Sequence, residues 1–222
     1  MKIDVWSDIM CPWCAVGFGN LMQAVDEYGS DVEVTWHSFE LDSHAPKVID
    51  GDYVDALAKK YSKTREDAQQ WVDLMASRGA EVGIQFDFSK LRPGNTLDAH
   101  RLLHLAGKHN LQTALKERLL RACFEEGQAI GQRATLKNSA LQVGLPEQEV
   151  DEVLDSNRYE DEVRADQKVA SSLNITGVPF FVIDQRLGLS GAQPPSTLLA
   201  ALRQASADAT EAHSCSIDGD CA

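Results

Sequence analysis

Positive charge is scarce in this chain. Of its 222 residues, 21 are lysine or arginine against 34 aspartate or glutamate, a formal net charge of −13. Such a surface repels phosphate backbones, so nucleic acid is not an expected partner, although a local basic pocket for a small anion is still allowed. Long apolar runs are also missing. No stretch approaches the roughly 18 apolar residues of a membrane span, so no membrane role is expected. The opening Met1-Lys2-Ile3-Asp4-Val5-Trp6 is too short an apolar run for a signal peptide, and Asp4 and Asp8 interrupt it. A cytoplasmic location is therefore expected. Reducing buffers there turn close cysteine pairs toward catalysis, sensing or metal rather than structural staples. Cysteines are few and unevenly placed: Cys11, Cys14, Cys123, Cys215 and Cys221. That spacing is not a disulfide framework.

Hydrophobic residues make up 43% of the chain, enough for a real core. The length suits one core with a substantial insertion, or two small domains. Ile3, Val5 and Trp6 mark a short strand over 2–7. Pro12 suits a first helical turn, and Val16, Leu21, Met22 and Val25 continue an apolar face to about Tyr28. Val32, Val34, Trp36 and Phe39 mark a second strand, with a right-handed crossover if the two run parallel. From Tyr53 to about Asn157 the pattern is almost wholly helical, in segments 53–61, 64–79, 96–109, 111–128, 131–143 and 146–155. A helix over 158–173, a strand over 180–183, a hairpin partner over 187–190 and a last helix from Pro194 to about Ala205 complete the order. The fold class is α/β. Removing the helical block leaves a thioredoxin-like arrangement, discontinuous over 1–42 and 158–205. The block, 43–157, is an inserted all-helical domain. Residues 206–222 are small and polar and read as a flexible tail with a cysteine pair.

Cys11-Pro12-Trp13-Cys14 follows the first strand at once. Cysteines at i and i+3 share a helix face, close enough to bridge. At a helix N-terminus, unpaired N–H groups and the macrodipole favour a thiolate. Cys11 should then have a pKa in the range of roughly 3.5–7.5 found for such motifs. Cys11 is read as the exposed nucleophile and Cys14 as the partly buried resolving thiol. Zinc is the competing reading, because C-x-x-C is also a metal spacing. A second C-x-x-C or H-x-x-H is missing, so neither metal nor cofactor is expected, and the strand–turn–helix context favours redox chemistry.

An ordered set of motifs resembles a known family. The set is Ser7-Asp8-Ile9-Met10-Cys11-Pro12-Trp13-Cys14, Phe39-Glu40-Leu41, Asn95-Thr96-Leu97-Asp98-Ala99-His100-Arg101-Leu102, Gly177-Val178-Pro179-Phe180-Phe181 and Ser190-Gly191-Ala192-Gln193. Together these span nearly the whole chain to about residue 205 and resemble the DsbA-like thioredoxin superfamily, within it the FrnE-type dithiol–disulfide isomerase branch. The resemblance implies a thioredoxin fold with a helical insertion, Cys11 as nucleophile, Cys14 as resolving thiol and Pro179 as a cis proline. Such a proline would present the Val178 backbone to an extended substrate. The related 2-hydroxychromene-2-carboxylate isomerases are similar in the Asn95–His100 region, but they use glutathione and carry serine where this chain has Cys11.

The implied activity is thiol–disulfide exchange with protein thiols and disulfides, with glutathione or a thioredoxin system as electron partner. Two alternatives stay open: a glutathione-dependent isomerase or transferase acting on a small electrophile, and a redox-active chaperone or interaction module. Trp13 offers unfolded chains an apolar platform, whereas Trp36 and Trp71 are expected in the core. Asp8 is read as a solvated loop residue or a proton relay, and Glu40 as a salt-bridged residue or the base for Cys14. Asn95 is a helix cap or, with His100, part of a cleft. Cys123 is a core thiol by default. Cys215 and Cys221 form a candidate second redox pair, against an inert tail or soft-metal capture with His213.

Overall fold

The structure, a computed structural model, describes the backbone of residues 1–217 and the side chains of residues 1–207. A four-stranded sheet in the order β2-β1-β3-β4 forms its centre. β1 (Lys2–Ser7) pairs parallel with β2 (Glu33–Ser38), joined by the crossover helix α1 (Pro12–Tyr28). β3 (Phe180–Ile183) runs antiparallel to β1 and turns into β4 (Leu187–Ser190). Alternation along β1 sets the layers. Ile3 and Val5 join Phe181 and Ile183 in one apolar cluster with α1 and α9 (Pro195–Ile217). Trp6 faces the other way, against Ala170 of α8 (Glu160–Ser172), Ile175 and Phe180.

Between β2 and α8 the chain forms α2 (Tyr53–Tyr61), α3 (Arg65–Glu81), α4 (Leu97–Lys108), α5 (Gln112–Phe124), α6 (Arg133–Gln142) and α7 (Glu147–Leu154). Their boundaries follow local chemistry. Thr64 and Asp67 form a capping box at the start of α3, and Asp52 caps α2 through the Asp55 N–H. The apolar faces of these helices are continuous with the buried residues of β1, α1 and α9. Arg101, buried in α4, donates to the carbonyls of Val153, Ser156 and Arg158, fastening the end of α7 to the start of α8. α9 does not stop near Ala205 but continues to Ile217. The stretch Ala205–Ala212 is rich in alanine and carries no glycine or proline, so helix propensity runs on past the packed part. Among the described residues no helix is long and apolar enough to cross a membrane.

A polar cluster ties β1, β2, α4 and α8 together on the Trp6 side. His37 meets Asp4 through Nε2 and Asp166 through Nδ1, both at 2.8 Å. Asp166 also accepts from the Ser38 N–H at 2.8 Å and lies 3.1 Å from His104 Nε2. The His37 ring stacks on Trp6 with centroids 4.5 Å apart. Burial pulls the His37 pKa down, but Asp166 and Asp4 outweigh it and the net shift is upward. The imidazolium therefore stabilises the fold fully below its unfolded pKa of about 6.5, and this contribution is lost as pH rises through the higher folded value. We expect Asp166→Asn to lower stability by about 1–2 kcal/mol near pH 6. It should also flatten the decline in urea midpoint as pH rises from 6 to 9. An unchanged pH profile in the variant would remove the cluster from this role.

Candidate active site

Residues 8–10 carry the chain from β1 into α1, and Cys11 is the N-cap of that helix, with φ −95° and ψ 111°. Its carbonyl accepts from the N–H of Cys14 at 3.0 Å and of Ala15 at 3.2 Å. Pro12 occupies the first helical position, where a missing N–H costs nothing. Both thiols are free and buried, Cys11 at 5% exposure and Cys14 at 1%. Cys11 is thus less open than the sequence suggests, and it is reached through a cavity. The Val178–Pro179 segment, whose peptide bond is cis, closes over it, and the Cys11 thiol donates to the Val178 carbonyl at 3.6 Å.

This approach depends on Gly17, whose importance the sequence reading missed. A Cβ there would stand 2.7 Å from Pro179 Cγ and 3.3 Å from Phe181 Cζ. Its absence lets α1 lie directly against the proline.

The two thiols differ in proton affinity. The Cys14 thiol donates toward the Cys11 sulfur and most strongly lowers the Cys11 pKa. Burial and the Asp8 carboxylate oppose it, the N–H groups of Cys14 and Trp13 assist, and the net shift is downward. Cys14 is pushed well above the ordinary thiol range, by burial first and then by Cys11. The Asp8 side chain is buried rather than solvated, accepting from the Leu41 N–H at 2.8 Å and lying 3.4 Å from His100 Nε2. Burial raises its pKa, but His100, the Leu41 N–H and Thr96 outweigh that, so it is held as a carboxylate.

The other candidates are dispersed. Glu40 has a fully covered side chain that accepts from Arg164 and Gln167 of α8, not from the thiols. Asn95 is not the cap of α4, which is Thr96; it stands one residue earlier, its Oδ1 accepting from the Leu97 N–H at 2.9 Å in an Asx turn. The cavity takes Pro93, Gly94 and Thr96 from that stretch, while His100 stands behind it, beside Asp8. Cys123 is fully buried with Sγ 3.5 Å from Met10 Sδ, and burial pushes its pKa far up. Cys215 and Cys221 lie outside the described residues. Among the described residues no cluster of three or more histidine, cysteine, aspartate or glutamate side chains is arranged to hold a metal.

Lys116 escaped the sequence reading. It recurs on α5 with Leu119, Leu120 and Cys123 at i+3, i+4 and i+7, and that helical stripe was its signal. Its side chain is fully buried behind the thiols.

A family model of the DsbA-like thioredoxin domain matches residues 2–203. The chain belongs to the DsbA-like thioredoxin family. YwbO, an uncharacterised protein of Bacillus subtilis, is 32% identical to this DsbA-like chain over 186 residues, 82% of this chain and 86% of its own length. The crystal structure of a probable DsbA oxidoreductase from Streptomyces coelicolor superposes with a TM-score of 0.87 at 38% identity, covering 92% of this chain and 89% of that one. A 2-hydroxychromene-2-carboxylate isomerase shares the fold, with a TM-score of 0.69 at 13% identity over 95% of this chain and 98% of that one. Membership carries thiol–disulfide oxidoreductase chemistry as the family's general activity.

The cavity that holds Cys11 in this DsbA-like fold has a volume of about 690 Å³. It runs from Met10, Cys11, Trp13 and Val178 across to α2 and α3, where Tyr53, Tyr61, Trp71 and Leu74 line it. Trp71 was expected in the core. On α3 the buried stripe is Ala68, Val72, Met75 and Gly79, which turns Trp71 aside to the rim, edge-on to Tyr61 with centroids 5.6 Å apart.

Two outcomes are expected. Cys11 should be alkylated by iodoacetamide at lower pH than Cys14 or Cys123, as followed by peptide mass mapping. Gly17→Ala should cost about 1–3 kcal/mol through overpacking and slow the reaction of Cys11 with an added disulfide. A variant as stable and as fast as the wild type would remove the Gly17–Pro179 contact from this account.

Proposed function

We propose that this protein exchanges disulfides with polypeptide substrates through Cys11 and Cys14, in the cytoplasm, with glutathione or a thioredoxin system as electron partner. The observation that carries the reading is a nucleophile at a helix N-cap, opening into a cavity rimmed by exposed apolar side chains. Trp13, Leu41, Ile49, Tyr61, Trp71 and Leu74 are all large, apolar and exposed, and all line this cavity. Exposed apolar patches of this kind mark binding sites, and aromatic rims supply contact area at low entropic cost. Among the described residues lining it, Lys60 is the single cation. An apolar stretch of polypeptide beside a cysteine suits such a wall better than a free tripeptide with two carboxylates.

In the reducing direction the Cys11 thiolate attacks one sulfur of the substrate disulfide. A Cys11–substrate bond forms, and the second substrate sulfur leaves as a thiolate. Cys14, once deprotonated, attacks Cys11 Sγ. The substrate leaves with both sulfurs reduced, and the protein holds the Cys11–Cys14 disulfide. The oxidising direction is the same sequence reversed. The Val178 carbonyl, already an acceptor at the thiol, supplies a backbone edge for an extended substrate. The likeness to the isomerase structure is a likeness of fold, and that reading would leave Cys14 without a use.

Insulin reduction and refolding of scrambled ribonuclease should be lost in Cys11→Ser, while Cys14→Ser should accumulate mixed disulfides visible by mass. Trp71→Ala should raise KM about five- to tenfold for a peptide disulfide flanked by aromatic residues and leave glutathione disulfide unaffected. Catalysis surviving Cys11→Ser would return the glutathione-dependent or chaperone reading.

A further inference from the structure

Lys116 is a group beneath the thiols that the exchange mechanism leaves unused. Its side chain is fully buried, and among the described residues Nζ has no hydrogen-bond partner. An amine taken out of water without a partner is costly, most of all when charged, and a leucine or methionine would fill the same apolar stripe of α5 more cheaply. The groups facing it come from several elements. Cys14 lies on α1, Cys11 at its N-cap and Asp8 on the segment before it. The ring of Trp36, from β2, lies 5.7 Å from Nζ. Asp8 is in turn beside His100 of α4 and the N–H of Leu41. Burial pulls the amine's pKa down, Cys14, Asp8 and Cys11 pull it back up, and the net shift is downward. Asp8 is already served by other donors. The anion that comes and goes in this enclosure is the thiolate.

We infer that Lys116 is a buried proton store coupled to the dithiol, neutral beside the Cys11–Cys14 disulfide and an ammonium beside the reduced pair. This rests on the dithiol exchange proposed above. When a substrate dithiol is oxidised, its two S–H bonds break and its sulfurs join, giving up two electrons and two protons. The Cys11–Cys14 bond breaks and takes the electrons. One proton ends on Cys14 and the other on the Lys116 amine, while Cys11 remains a thiolate. The enclosure thus gains an anion and a cation together, and no net charge is added to a buried space. Lys116 acts through the charge it holds and is a positioning residue, since it does not touch the substrate.

The test is the reduction equilibrium of Cys11–Cys14 against dithiothreitol buffers, followed by Trp fluorescence or alkylation, at a series of pH values. In the range where Cys11 is a thiolate, the amine titrates and dithiothreitol keeps both its protons, the wild-type exchange constant should not change with pH, because Cys14 and Lys116 keep the two protons that dithiothreitol gives up. Lys116→Met holds no proton and Lys116→Arg never releases one, so in both one dithiothreitol proton escapes to solvent and the constant should rise about tenfold per pH unit. The arginine variant serves if the methionine variant does not fold. The Lys116 13Cε shift in wild-type protein gives a second readout and should move between ammonium and amine values on oxidation. Equal slopes in wild type and variants, or a 13Cε shift blind to the redox state, overturn the inference while leaving dithiol exchange standing. A Cys11–Cys14 pair that forms no disulfide in any buffer overturns both.

Discussion

The first turn of α1 meets the Val178–Pro179 segment because residue 17 has no side chain. That contact brings the Cys11 sulfur against a backbone carbonyl distant in sequence, that of Val178. Both partners are held from behind. α1 packs against β1 and α9 through its buried stripe, and the segment before Pro179 is fixed by Ile175, whose N–H donates to the Ala170 carbonyl at 2.9 Å. The surroundings of Cys11 are thus determined by a sheet and two helices rather than by a loose loop, which suits chemistry that needs a sulfur held in place.

Polar groups in the interior divide by task. On the Trp6 face, His37, Asp4, Asp166, His104 and Ser38 satisfy one another and bind four elements together. Beneath the thiols the accounts are left open. Among the described residues His100 Nε2 and Lys116 Nζ lack hydrogen-bond partners, while Asp8 near them accepts from the Leu41 and Met10 N–H groups. Fully satisfied networks stiffen a fold.

Periodicity and punctuation made the order of elements along the chain, the crossover helix and the helical block legible. Cys11 and Cys14 were legible because i, i+3 cysteines behind a strand have few other uses. What escaped depends on partners far away in sequence. Gly17 looks like any helix glycine until Pro179 is laid against it. Lys116 reads as an exception on an apolar stripe until the thiols are found above it. Trp71 reads as core because large aromatic residues usually are, and only the phase of α3 turns it to the rim. Asp8 was taken for solvated because carboxylates usually are, and only the fold supplies the Leu41 N–H that makes its burial tolerable.

The residues just after β2 lead further. Glu40 is gripped by Arg164 and Gln167 of α8, while the next residue, Leu41, hands its N–H to Asp8. A single dipeptide therefore joins an outer helix to the carboxylate lying under the sulfurs. Because Asp8 bears on the proton affinity of Cys11, a change in how α8 grips Glu40 would reach the thiol through two consecutive residues.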